Sequence, residues 1–459
     1  MSIINNGLSG SIAAQAALSA ASQNIANVMT PGYTRQGAVL ASVQPLQSGT
    51  KSAGSGVAVS SLMRFSDDYK NMQMWRAASE LSSRSTVQPY LDQLEQVMGD
   101  DSSGINNGLD GFFSALNAAS VEPSSVPLRA QVINAADALA QRFNSLTTVL
   151  ANQRSAVAQQ RTSLAAQINT TTTQIADLNK RISLAEASGV NASGLIDARD
   201  SAIDSLAGHV AIQVVDDASG ARNVSLKSGQ PLVVGSTASR LEVTDNASGT
   251  QTLSLHFANE VFAVRDDNLG GQLGGLADFE YGILAPLRQS ISDIASEVST
   301  LMNTQLTAGY ALDGSPGSAL FVFDPSSSTS LLSVTAGVLP QDLGFSSDPS
   351  KPGNSDNLLA MIELKNQSIN VTSLGAVRIG DAHTQLIGRL GMDSQQNRAL
   401  MATATTVRNQ AEESWKSTSG VNNDEEAVNL IQFQQMYQAN MKVIAVANEL
   451  FDSTLAMMR

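Results

Sequence analysis

Catalysis needs nucleophiles, proton carriers or metal ligands held close together, and this sequence scatters them. The three histidines, His209, His256 and His383, are far apart, and none sits at metal-ligand spacing. His209 and His256 fall in predicted strands or their edges, where a structural or surface imidazole is expected. The chain has no cysteine, which removes disulfides, thiolate nucleophiles and cysteine-type zinc or iron–sulfur sites. Gly270, Gly271, Gly274 and Gly275 lack the Gly-x-Gly-x-x-Gly pattern that cradles phosphate and read as a loop. Asp100-Asp101 and Asp216-Asp217 sit beside Ser or Gly and read as solvated turns. Asp424-Glu425-Glu426 puts three carboxylates in a row, which suits a cation. It suits the positive end of a helix better, with Asn423 as N-cap and Glu426 as its capping-box partner. No catalytic residue, cofactor or metal ligand is expected.

Charge narrows the partners. The net charge is −14, and no run of Lys and Arg occurs, so nucleic acid and anionic membranes are not expected partners. No apolar run approaches a membrane span. The first basic residue is Arg35, so the positive region that opens a secretory signal peptide is missing. At 42% hydrophobic but only 4% aromatic, the composition suits long, closely packed helices more than a ligand-binding core.

The chain ends carry the strongest pattern. Leu430, Tyr437, Ile444, Phe451 and Met458 recur every seventh residue, with Gln434, Met441, Asn448 and Leu455 interleaved. That is the seam of a coiled coil, where such side chains meet a facing helix. Residues 2–27 also read as helix, with Ile4, Leu8 and Ile12 four apart and Leu18 and Ile25 at multiples of seven from Ile4. Stripes this narrow do not hold a helix alone, so each end needs a partner and is expected to serve assembly. The polar Gln434 and Asn448 would restrict register and partner number at some cost in stability.

Between the ends, Thr30-Pro31-Gly32-Tyr33 is a turn signal. Residues 36–62 read as an extended or hairpin segment around Gly49 and Gly54 to Gly56. A helix capped by Ser66 with Asp67 and Asp68 is predicted to run to about Met98, then a loop from Gly104 to Gly111 and a short helix over 112–118. Residues 127–188 hold almost no Gly or Pro and carry one apolar face, giving one very long helix or two with a break near Asn152. A short helix is predicted over 196–206. The alternating Val and Leu of 209–265, punctuated by Gly220, Gly229, Gly235 and Gly249, predict a small all-β domain. Helix returns over 284–306, 357–369, 386–416 and 425–459, around a Ser/Pro/Gly-rich excursion at 324–354.

The expected fold is therefore mainly α with a β insert: long antiparallel helices, paired terminal coiled-coil helices and a small all-β domain. The units are 1–60, pairing with 420–459; a helical domain over 61–208 and 271–419; and the β domain at 209–270.

Specific motifs then carry a resemblance. Ala13-Ala14-Gln15-Ala16-Ala17-Leu18, Gln23-Asn24-Ile25-Ala26-Asn27 and Thr30-Pro31-Gly32-Tyr33 resemble the N-terminal signature of bacterial flagellar axial proteins. Glu425-Glu426-Ala427-Val428-Asn429-Leu430, Tyr437-Gln438-Ala439-Asn440 and Lys442-Val443-Ile444 resemble the C-terminal one. Leu195-Ile196-Asp197-Ala198-Arg199-Asp200, the long central helix and the ending Glu449 to Leu455 narrow the likeness to the FlgK, or hook-associated protein 1, family. Met29 departs from the Asn common among relatives, and the chain is short for the family.

The resemblance implies a structural protein at the junction of hook and filament, with no enzymatic role. It implies self-assembly through the terminal helices, with hook protein and a second hook-associated junction protein as neighbours. It further implies extracellular location in the flagellum, type III export without a cleaved signal peptide, and a small chaperone on the C-terminal segment. The axial motif residues are Asn24, Asn27, Pro31, Gly32 and Tyr33. The alternatives are another axial protein or, from a different class, an exported effector or adhesin.

Overall fold

The computed structural model describes residues 2–44, 54–100, 104–246 and 250–458. Gly49, Asp101 and Gly249 lie outside them. The chain runs through α1 (Ser2–Ala26), the antiparallel hairpin β1 (Gln36–Ser42) and β2 (Val57–Arg64), α2 (Asp68–Met98), α3 (Ile105–Val121), α4 (Val126–Ala187) and α5 (Ser193–His209). Short strands follow: β3 (Ile212–Asp216), β4 (Arg222–Leu226), β5 (Pro231–Val234), β6 (Thr237–Ala238), β7 (Arg240–Asp245), β8 (Gln251–Phe257) and β9 (Glu260–Val264). Next come α6 (Gly271–Phe279), a π turn (Glu280–Leu284), α7 (Ala285–Ala308), the hairpin β10 (Phe321–Phe323) and β11 (Leu332–Val334), and α8 (Asp356–Glu363). The hairpin β12 (Ser368–Val371) and β13 (Gly375–Arg378), α9 (Ile379–Ser419) and α10 (Asn423–Met457) complete it.

The axis of the molecule is α4. It is one helix, about 93 Å long at 1.5 Å per residue. The break considered near Asn152 does not form, because that side chain faces water and no Gly or Pro interrupts the backbone bonds. Its first part, Val132 to Leu164, joins Leu91, Phe112, Phe279, Ile294 and Phe345 in one core. Its later part, through Ile168 and Ile175, joins Ile203, Leu206, Val224, Leu232 and Leu255 in a second core under the β unit. That unit is two antiparallel sheets, β3-β4-β5-β6 and β7-β8-β9.

Helices α2 and α9 run antiparallel along the body. Gln88 Nε2 donates to Ser394 Oγ at 3.1 Å, and Arg408 at the other end donates to Asp204 of α5 at 2.7 Å.

Four expectations about the elements need correction. Gly104 to Gly111 is mostly helix, since α3 begins at Ile105. Gly271 to Gly275 open α6 rather than a loop. There the glycine is a spacer: a Cβ on Gly275 would stand 2.5 Å from the Ser83 carbonyl oxygen of α2. The helix predicted over 357–369 stops at Glu363, and Ser368 onward is strand. The N-cap of α10 is Asn422, where Asn423 was expected, while that of α2 is Asp67, within the predicted Ser66-Asp67-Asp68 cap.

Candidate assembly interface

Helices α1 and α10 pack antiparallel on one another, with the β1–β2 hairpin also against α1. The buried stripe of α1 is Gly7, Gly10, Ala14, Ala17, Ala21 and Asn24, a 3/4 repeat of small residues. The covered positions of α10 recur at the same spacing: Glu426, Leu430, Phe433, Asn440, Ile444 and Ala447. The helices approach closely, since a Cβ on Gly7 would stand 2.7 Å from Ile444 Cγ1.

The predicted seam is offset from this contact. Leu430 and Ile444 are half-buried, as are Ile4, Leu18 and Ile25 on α1. Leu8, Ile12, Gln434, Tyr437, Met441, Asn448, Phe451, Leu455 and Met458 face solvent, with Ile12 55% and Phe451 62% exposed. Neither Gln434 nor Asn448 is a polar residue of the packed stripe. Asn440 is, and it donates to the Met436 carbonyl at 2.9 Å while abutting Gly7 and Gly10. A search for large apolar side chains picks the outward face, because glycine and alanine make the inward one.

Helix α1 ends in a clasp built from the axial motif. The Asn24 amide donates to Gln36 O at 2.8 Å, and its oxygen accepts from Gln36 N at 3.0 Å and from the Tyr33 hydroxyl at 3.0 Å. A side chain thus imitates a strand neighbour and fixes where the hairpin leaves the helix. Thr30 O accepts from Tyr33 N at 3.2 Å, and Gly32 takes φ +76°, the left-handed corner such a turn needs. Asn27 accepts from the Thr30 hydroxyl at 3.2 Å; Pro31 lies exposed on the turn. Burial, and next the negative charges of Asp197 and Glu426, push the Tyr33 phenol up to about 12.

Arg35 joins both ends of the chain. It pairs with Glu426 at 2.8 Å and Glu425 at 3.1 Å, its N–H donates to Ser419 O at 2.8 Å, and its guanidinium lies 5.1 Å from the Phe65 ring centre. Glu426 is therefore an ion-pair partner and not the capping-box residue expected. Asp216 is likewise more than a turn residue: it accepts from Arg222 at 2.7 Å, whereas Asp217 does accept from the turn amide of Ser219 at 2.8 Å. The ionic partners Arg64, Asp197 and Asp200 were not singled out as sites, because a lone Arg at a strand end carries no local pattern.

The histidines stand apart in space as in sequence. His209 is the last residue of α5, just ahead of β3, and its Nδ1 lies 2.9 Å from Gln272 Oε1. His256, on β8, is 3.1 Å from Glu242, and His383 is buried in α9. Among the described residues, no group of three or more His, Cys, Asp or Glu is placed to hold a metal ion. No helix among them is long and apolar enough to cross a membrane.

Comparison with known proteins assigns this architecture. A family model described as the flagellar hook-associated protein FlgK helical domain matches residues 91–321. The ends match two others, a flagella basal body rod protein at 4–34 and the flagellar basal body rod FlgEFG protein C-terminal at 417–457. Flagellar hook-associated protein 1 of Salmonella typhimurium is 27% identical over 549 aligned positions covering 99% of each chain. The same-named protein of Bacillus subtilis is 26% identical, over 96% of this chain and 95% of its own. The Salmonella alignment is longer than this chain, so that relative carries internal residues absent here. The flagellar hook junction protein FlgK from Burkholderia pseudomallei shares the fold, with TM-score 0.68 and 17% identity over 75% of this chain and 100% of that one. The helical body, the paired ends and these matches agree: the chain belongs to the flagellar hook-associated protein FlgK family.

Proposed function

We propose that this chain is a structural subunit of the junction between flagellar hook and filament, assembling with copies of itself through the outward face of α1 and α10. One observation carries the reading. The two helices satisfy each other through small residues and leave Leu8, Ile12, Tyr437, Met441, Phe451 and Leu455 in water. Apolar surface of this kind marks an interaction site when it is contiguous along an element. Hook protein on one side and a second hook-associated protein on the other are the remaining neighbours. The chain reaches its place by type III export without a cleaved signal peptide, its C-terminal helix held by a small chaperone. The role is structural, with no reaction assigned to any residue.

The test is deletion of the gene in the parent organism, with hooks imaged by electron microscopy. Hooks that lack filaments, and flagellin lost to the medium, are expected. Intact filaments would overturn the junction reading.

A further inference from the structure

The terminal unit, α1 with the hairpin and α10, is tied covalently to the body at two places only, residues 65–67 and 420–422. Apolar packing does not fix its angle, because open grooves flank the joint. One, about 890 Å³, separates Ala16, Ala20 and Leu62 from Gly194 and Ser201 of α5. The other, about 540 Å³, lies between Met29 and Tyr33 on one side and Met74, Trp75 and Trp415 on the other. Close-packed interfaces leave no such space.

Between the grooves stands an ionic clasp. Arg64, the last residue of β2, donates Nε–H to Asp197 Oδ1 at 2.7 Å and Nη2–H to Asp200 Oδ2 at 2.8 Å. All three side chains are nearly buried, at 11 to 12% exposure, so solvent and salt screen them little. Asp197 and Asp200 are three apart on α5 and share one face, which is what lets a single planar guanidinium engage both. Asp197 Oδ2 also accepts from Thr34 N at 3.2 Å. The second oxygen of Asp200 accepts from Arg222 of β4 at 2.6 Å, and Arg222 also engages Asp216 and Asp68. Arg199, between the two aspartates, donates Nη1–H to Gly220 O at 2.7 Å and keeps its Nε 3.7 Å from Asp200 Oδ1.

We propose that Asp197 and Asp200 are positioning residues that preset the angle between the terminal helix pair and the body, and that Asp200, shared by Arg64 and Arg222, couples this angle to the seat of the β unit. The benefit to assembly rests on the junction reading: a subunit that arrives with its angle set loses less freedom on incorporation. The clasp itself does not depend on it.

The chain has no cysteine, so Gln174→Cys on α4 and Gln438→Cys on α10 give two unique spin-label sites, both exposed. Pulsed dipolar spectroscopy on the full-length monomer should give a narrow distance distribution. The double variant Asp197→Asn/Asp200→Asn should widen it about twofold as more orientations become populated, with helical content unchanged. Arg64→Lys, which supplies a point charge without the fork, should fall between, and Asp216→Asn should leave the width as it was. An unchanged width in the double variant and in Arg64→Lys would overturn the proposal. Coupling is read in a Trp415→Phe background, where Trp75 is the sole tryptophan and lies 5.6 Å from the Arg222 guanidinium. Arg64→Lys should shift Trp75 emission through Asp200; an unshifted spectrum would sink the coupling. Failure of the junction reading would show elsewhere, as filament-bearing hooks built without this chain.

Discussion

His383 is a side chain whose cost to the fold can be read directly. It is 1% exposed, and among the described residues neither ring nitrogen has a hydrogen-bond partner. Burial pulls its pKa from the ordinary 6.5 down to about 4. The unfolded chain therefore takes up a proton near pH 6.5 that the folded chain refuses until near pH 4. The contribution is full above pH 6.5 and is lost as pH falls toward 4, on the order of 3 kcal/mol in all. His383→Leu should remove that acid slope. At pH 7 it should leave stability nearly unchanged or raised, since two unpaired buried polar atoms are replaced by apolar surface. Urea titrations of both proteins at pH 7 and pH 5 decide it: a slope that survives the substitution refutes the account. The histidine's isolation was legible in the sequence. Its burial was not, because the sequence pattern predicts the helix it sits on only from Leu386 onward.

At the scale of elements, Gly10 tests the packing of the ends. It faces the Asn440 amide so closely that any Cβ must displace that side chain. Leucine raises helix propensity by up to about 1 kcal/mol over glycine, which favours α1 in isolation. The clash should outweigh that gain, so Gly10→Leu should loosen α10 from α1 while Leu8→Ala, on the exposed side, leaves the pair intact. Amide exchange over residues 423–457 is the measurement; equal protection in the two variants would show the small-residue stripe to be dispensable. The same glycines explain what the sequence concealed. Long apolar periods announced α4, α7 and α9, and alternating Val and Leu announced the β unit, because large side chains mark a face. In α1, and where α6 meets α2 at Gly275, the packed face is marked by missing side chains. A reading keyed to Ile and Leu then finds the opposite side, and one keyed to glycine finds a loop. The Arg64 clasp was hidden for another reason: its partners are 133 and 136 residues away in the chain.

For the whole molecule, the inverted ends make monomer stability and assembly separable. The α1–α10 contact uses Gly7, Gly10, Ala14, Leu430, Ile444 and Ala447, whereas the proposed contact between copies uses Ile12, Tyr437, Met441, Phe451 and Leu455. Phe451→Ala should therefore cost the isolated chain little, because the ring already stands in water. In the assembly, where a neighbour would bury it, the same change costs on the order of 3 kcal/mol per subunit when fully packed. Asn448→Leu acts in the other direction. Asn448 is exposed beside that face, so leucine there extends the apolar stripe and removes a polar group that opposes unspecific pairing. The first variant should remain monomeric and fail to enter junctions; the second should self-associate before export or be released slowly from the proposed chaperone. Both should melt within about 1 kcal/mol of the parent chain, as exposed substitutions do. Sedimentation of the purified proteins, with a count of filament-bearing hooks, separates the outcomes. A Phe451→Ala chain that builds normal junctions would mean that the outward face is not what the subunits share.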